Sequence, residues 1–465
     1  MLLRFFRIND PYRLLAVLVA IILLSLPLLI NLMPITLQEL KMMLLGEVLN
    51  QDKSLYAQVW DNTPPLTALA NKIFYWLWGR SILAPRILTT VVIFFQAAFF
   101  AIVLINNKAY NESTYLPAFI FAILCFYSFD LLTLSPELLG STFLLLALNN
   151  IFKEIEFRIQ REETILNIGL FIGVASLFIF SYSWFLPGAL LVLIIFTRLS
   201  VRKAFVLLFG FTFPHAVLMT ICYFTGDFPE LVRFFYIPNF SLSSISLISI
   251  KGFFMLAWVP VLYFVFSLIM LNREARFTKY QSQILQVMLL WLIIAFVEII
   301  FTRERTPHSL LTFVPPLAYL ISHYHLLIRR KRIAETMLWL FLIGIVSMSY
   351  WSRSGKLNTF QVQSFMPTAA KHSLTGKKVM VLSDELSVYQ HNTIASSFIN
   401  WNLVQPILQD ASSYENVVMV NELFRNNRPE VIIDPENYLA KFLQRIPSLK
   451  QQYKREGDYY VRISN

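Results

Sequence analysis

The chain has 465 residues, 57% of them hydrophobic and 14% charged, whereas a soluble domain carries about a quarter charged residues. That balance excludes an ordinary soluble enzyme and indicates a polytopic membrane protein. The net charge of +11 gathers in short clusters between apolar runs, where it sets orientation in a membrane and gives no argument for nucleic acid.

Arg4, Arg7 and Arg13 precede the first apolar run, Leu14 to Leu32, which has no charge and is long enough to cross a bilayer. Its apolar core is too long for a cleaved signal peptide, and no small-residue cleavage site follows. Ten further runs give about eleven predicted spans: 14–34, 87–106, 115–129, 138–152, 165–182, 184–198, 204–224, 253–271, 284–302, 309–328 and 336–350. The third, fourth and sixth are short: either these spans are tilted or extended, or the fifth and sixth form a re-entrant hairpin with a break expected at "SYSWFLPG". Basic clusters at Arg198, Arg202 and Lys203, at Arg273, Arg276 and Lys279, and at Arg329 to Arg332 all fall on the side of the N-terminus. An odd number of crossings then places the N-terminus in the cytoplasm and the C-terminus outside. Cys125 and Cys222 lie far apart in apolar runs and read as small buried hydrophobes.

Residues 1–350 thus form the expected membrane domain, with an outer loop at about 35–86. In that loop Leu37, Leu40, Leu44, Leu45, Val48 and Leu49 recur at helical spacing, as in an amphipathic helix lying on the membrane surface. Glu39 sits at the membrane edge of this helix, either facing the space between helices as a chemical group or solvated beside Lys41. "DNTPPL" follows. Pro64 and Pro65 predict a turn into a second helix from Leu66, capped by Asp61 or Thr63 and ended by Gly79. Asp130 and Glu137 lie in the next outer loop. Arg233, Arg303, Arg305 and His308 are cations on the expected outer side, suited to phosphate. His323 and His325 read as interfacial residues, and His215 as a buried, hydrogen-bonded one.

From 351 onward the sequence changes character. "KKVMVLSD", "PEVIIDP" and "GDYYVRI" read as strands; "ENVVMVNELFRNN" and "NYLAKFLQRIPSLKQQY" read as helices. Residues 351–465 are expected to form a small soluble α/β domain.

The order "QE" (Gln38, Glu39), "TPPL" (Thr63 to Leu66), "WGRS" (Trp78 to Ser81) and Arg86, with the later "TLSPELLGSTFLLLALNNI" and "RTPHSLLTFVPPLAYLIS", resembles the GT-C-type polyprenyl-phosphate-sugar-dependent glycosyltransferases, in particular the protein mannosyltransferase and lipid A aminoarabinose transferase branch. The resemblance implies a GT-C-like fold with a periplasmic C-terminal domain in a bacterial inner membrane. It implies a polyprenyl-phosphate-linked sugar as partner, membrane lipids around the bundle, and a divalent cation as the one cofactor the pattern allows. Glu39 becomes the candidate catalytic base, with Gln38, Asp61, Arg233, Arg303, Arg305 and His308 as substrate contacts. The sequence departs from the pattern where the first acid is Gln38 and the residue before the prolines is Thr63. An amide cannot accept a proton at neutral pH, so a non-catalytic relative that docks a protein partner through its C-terminal domain is the alternative. A transporter is disfavoured, because no repeat halves are visible.

Overall fold

The computed structural model describes residues 1–30, 34–128, 130, 132–156, 161–197, 199–240, 245–246, 248–302, 304–354, 365–367 and 374–463. A short helix, α1 (Leu2–Phe6), precedes α2 (Arg13–Ile30), which runs through Pro27 without ending. α3 (Leu37–Leu49) opens on a capping box. α4 (Pro65–Trp78) starts at a proline, whose missing N–H is an orphan at that position in any case, and stops at Gly79, where φ is 56°. Then come α5 (Leu83–Asn106), α6 (Leu116–Leu124), α7 (Pro136–Ile155), α8 (Glu162–Phe178), α9 (Phe185–Phe196) and α10 (Val201–Thr225). The break expected between the fifth and sixth spans is a 3₁₀ turn at Phe180–Trp184.

α11 (Phe228–Leu231) and α12 (Ile237–Phe240) flank a π-turn at Val232–Tyr236. Two short strands, β1 (Ile245–Ser246) and β2 (Glu304–Arg305), pair in parallel. The remaining helices before the tail are α13 (Ile250–Leu256), α14 (Trp258–Glu274), α15 (Lys279–Phe301), α16 (Val314–Leu327) and α17 (Lys331–Arg353). Each predicted span overlies a helix. Among the described residues six helical runs are long and apolar enough to cross a membrane: Leu83–Asn106, Pro136–Ile155, Val201–Thr225, Lys279–Phe301, Pro307–Leu327 and Lys331–Arg353. Arg13–Pro27 and Phe180–Phe196 are shorter apolar helices.

The tail holds β3 (Lys378–Val381), β4 (Thr393–Ile394), α18 (Trp401–Gln409), α19 (Tyr414–Asn427), β5 (Val431–Ile433), α20 (Leu439–Arg445), α21 (Pro447–Lys450), β6 (Tyr453–Glu456) and β7 (Tyr459–Arg462). The sheet order is β4-β3-β5-β7-β6, parallel across β4, β3 and β5 and antiparallel at β7. The stretch read from sequence as one helix up to Tyr453 divides. α20 ends ahead of Pro447, α21 adds a single turn, and Tyr453 opens a strand. A proline cannot donate the hydrogen bond that would carry α20 onward.

The chain forms two compact units: residues 1–33, 82–220 and 242–362, and residues 34–81, 221–241 and 363–465. The first is the helical bundle. There α8 and α10 approach so closely that a methyl group on Gly169 would sit 2.1 Å from the Leu207 carbonyl, and one on Gly210 2.3 Å from that of Leu166. Small residues permit this backbone contact, as is usual where membrane helices pack.

The second unit joins the first loop to the tail. Leu40, Leu44, Leu45, Val48 and Leu49 of α3 share one core with Val379 and Val381 of β3, Ile394 of β4, and Val431 and Ile433 of β5. This corrects the expectation of a helix lying on the lipid surface. The apolar stripe of α3 is covered by a sheet made some 340 residues later in the chain, and that covering removes it from lipid and water alike.

Candidate functional site

Glu39 is the third residue of α3. Its Oε2 accepts the Thr36 N–H at 2.8 Å and the Thr36 hydroxyl at 3.1 Å, while Thr36 Oγ1 accepts the Glu39 N–H at 3.2 Å. A Thr and a Glu three residues apart satisfy two orphan donors of the helix start in this way. Gln38 is half-buried beside it.

Asp61 is buried, and its Oδ1 accepts the N–H and hydroxyl of Thr63, both at 2.9 Å. That is a local turn ahead of the prolines, not the helix cap expected from sequence, because Pro64 occupies the capping position of α4. The Tyr56 hydroxyl donates to the Thr63 carbonyl at 2.7 Å. Burial, reinforced by the Asp61 carboxylate, holds its pKa well above the ordinary tyrosine range.

One polar link in this unit was not singled out from sequence. Arg80 pairs with the buried Glu47 of α3 at 2.7 Å and also donates to the carbonyls of Tyr389 (3.1 Å) and Asn392 (2.8 Å). It thereby ties α3 to the chain beyond β3. Its signal was available: a charged residue inside the quoted "WGRS", thirty-three residues after a glutamate set in an apolar stripe. Arg233 is exposed and lies 3.4 Å from Glu415.

In the bundle, His308 is almost fully enclosed at 1% exposure. Its Nε2 lies 3.0 Å from Thr133 Oγ1 and 3.4 Å from Asp130 Oδ2, and Asp130 Oδ1 accepts the Ser128 hydroxyl at 2.8 Å. Residues ahead of α7 thus supply the partners of the His308 ring. Arg305 donates from Nε to the Ile299 carbonyl (3.2 Å) and from Nη2 to that of Ile300 (3.1 Å), so part of its guanidinium caps the end of α15. Arg303, like Arg198, lies outside the described residues.

Nearby, Glu137 Oε1 accepts the Thr306 hydroxyl at 3.3 Å. Glu298 Oε1 accepts the hydroxyls of Ser181 and Thr302, both at 2.6 Å. The second carboxylate oxygen of each glutamate is buried without a hydrogen-bond partner. Glu298 was also missed from sequence, although a lone carboxylate in "LLWLIIAFVEIIF" is the kind of intramembrane charge that asks for a function.

His215 meets the Ser176 hydroxyl at 2.8 Å, as a buried histidine should. His323 and His325 are buried: Tyr110 and Tyr319 pack on the His323 ring at 4.4 and 4.7 Å. Among the described residues no three His, Cys, Asp or Glu side chains are grouped to hold a metal ion.

The fold is shared with a protein of known structure. ArnT from Cupriavidus metallidurans, in its crystal structure bound to undecaprenyl phosphate, superposes with a TM-score of 0.59 at 12% identity, covering 97% of this chain and 98% of that one. The same protein in the apo state gives 0.58 at 13%, covering 96% and 97%. At such identity the likeness establishes the fold: this is a membrane protein of the GT-C fold. Residues 80–358 match a family of unknown function, DUF6427, and the chain belongs to it. No curated protein matches the chain.

Proposed function

We propose that the chain is a membrane glycosyltransferase that moves a sugar from a polyprenyl-phosphate-linked donor to a lipid, glycan or protein acceptor on the periplasmic face of a bacterial inner membrane. The observation that carries this reading is the likeness, over nearly the full length of both chains, to a protein captured with undecaprenyl phosphate.

In this reading Glu39 takes the proton of the acceptor hydroxyl as its oxygen attacks the anomeric carbon. The bond from that carbon to the phosphate oxygen breaks, its electron pair leaves with the polyprenyl phosphate, and the configuration inverts. Cations oppose the charge that develops on the leaving phosphate, and Arg233, Arg303 and Arg305 are the candidates. Gln38 donates to the sugar. Asp61 and His308 are the remaining candidate substrate contacts, and Asp61 also orders the turn ahead of Pro64. About eleven crossings, with the N-terminus in the cytoplasm and the C-terminal domain outside, complete the proposal.

A second reading, a non-catalytic relative that docks a protein partner, is favoured by one observation. Hydrogen bonding within the capping box already accounts for Glu39 as a structural residue.

Glu39→Gln separates the two. Glutamine serves equally well as the third residue of a capping box, so the helix start is kept while the base is lost. Abolished transfer from a polyprenyl-phosphate sugar by a folded Glu39→Gln protein supports catalysis. Undiminished transfer removes Glu39 as the base, and absence of transfer by the unaltered chain with any such donor favours the docking role.

A further inference from the structure

The tail domain carries a groove of about 900 Å³ at the meeting of α19, α21 and the ends of β5 and β7. Lys377, Arg425, Arg428 and Arg462 line it, all exposed, with Glu430 as its single carboxylate. Among the described residues none of these four cations forms an ion pair, although Arg233 and Lys454 of the same unit both do. Four cations that share one carboxylate repel one another, and an anion relieves that repulsion.

Arg428 adds a second observation. It ends α19 with φ 43° and ψ 60°, the left-handed conformation in which glycine is the usual residue. A side chain there costs about 1 kcal/mol or more relative to glycine. A long cation stands at this position, and it lines the groove.

The rest of the lining shows what kind of anion fits. Asn421, Gln451 and Ser448 are exposed amides and a hydroxyl, able both to donate and to accept. The aromatic residue in the lining, Phe424, is 3% exposed and offers no face on which a nucleic-acid base could stack. Planar guanidinium forks beside amides and a hydroxyl suit a ligand rich in hydroxyls that also bears acid groups.

We propose that this groove binds an anionic oligosaccharide, the arginines and lysine meeting its acid groups and the amides its hydroxyls. The proposal goes beyond the transferase reading and needs no transfer step.

The test is direct binding to the full-length protein in detergent or nanodiscs, by calorimetry. The probes are a short oligogalacturonate, which carries carboxylates, a phosphorylated mannan oligosaccharide, which carries phosphates, and neutral maltohexaose. Binding of either acidic probe, weakened by salt, with none of maltohexaose, supports the proposal and says which acid the groove takes. Arg425→Gln combined with Arg428→Gly should weaken that binding about tenfold or more. Glycine relieves the left-handed backbone and glutamine keeps an exposed helical position, so this variant folds.

The proposal is overturned if neither acidic probe binds or if the variant binds as tightly as the parent. It is equally overturned if glycerol 3-phosphate at the same concentration displaces the oligosaccharide, which would mark a simple anion site. Because the readout is binding, failure here leaves the transferase reading in place, and loss of transfer in Glu39→Gln leaves the groove in place.

Discussion

Arg80 holds three partners with one guanidinium: the Glu47 carboxylate and the carbonyls of Tyr389 and Asn392. Removing it strands a carboxylate that is 5% exposed. Arg80→Ala should therefore destabilise the second unit by about 3 kcal/mol or more, while Glu47→Leu with Arg80→Met should recover much of the loss, since a well-packed apolar pair can replace a buried ion pair. Thermal unfolding of the purified protein checks both.

Tyr56 makes a pH prediction. Burial raises the pKa of Tyr56 well above its ordinary value and raises that of Tyr389 as well. A folded-state pKa above the unfolded one means that the stabilisation is complete below about pH 10 and is lost as pH rises from there toward the folded value. Stability measured between neutral and strongly alkaline pH should fall through that window. Tyr56→Phe should flatten the fall and, by removing the hydrogen bond to the Thr63 carbonyl, cost about 1 kcal/mol at neutral pH.

At the scale of elements, α3 and the α8–α10 seam are the sensitive places. Leu44 is fully buried in the core that α3 shares with the sheet. Leu44→Ala should cost about 2–5 kcal/mol, and it should loosen the tail domain, read as faster proteolysis after Trp401. A helix resting only on lipid would show no such effect on the tail. A methyl group on Gly46 would come within 2.4 Å of the Asn71 carbonyl of α4. Gly46→Ala should accordingly force α3 and α4 apart, despite the better helix propensity of alanine. In the bundle, a methyl group on Gly173 would sit 2.4 Å from the Phe211 carbonyl, so Gly173→Leu should lower the yield of folded protein in the membrane fraction.

At the scale of the whole molecule, orientation is the governing question, and it is a proposal argued from charge. Arg329 to Arg332 and the N-terminal arginines should face the cytoplasm. A periplasm-active reporter fused after Asn465 should be active, and a cytoplasm-active one silent. The opposite result would place the tail domain and its basic groove on the cytoplasmic side and overturn the proposed periplasmic reaction.

By itself the sequence determined the membrane class, the helical runs, the break at "SYSWFLPG", the turn at Pro64-Pro65 and most of the tail's strands. These follow from local physics: apolar length, proline and glycine geometry, and alternation. It also carried enough pattern in "QE", "TPPL" and "WGRS" to point to the fold. Only the tertiary structure decided what covers the apolar stripe of α3. Periodicity says that a face is buried but not whether lipid or a distant sheet buries it. Only the tertiary structure brought Arg80 to Glu47 and closed His308 against Asp130, pairings between residues too far apart in the chain for any local rule to join. It also showed Glu39 as a helix cap, where spacing alone allowed either a base or a solvated group. A capping box forms only where the backbone turns at Thr36, and residue spacing alone does not fix that turn.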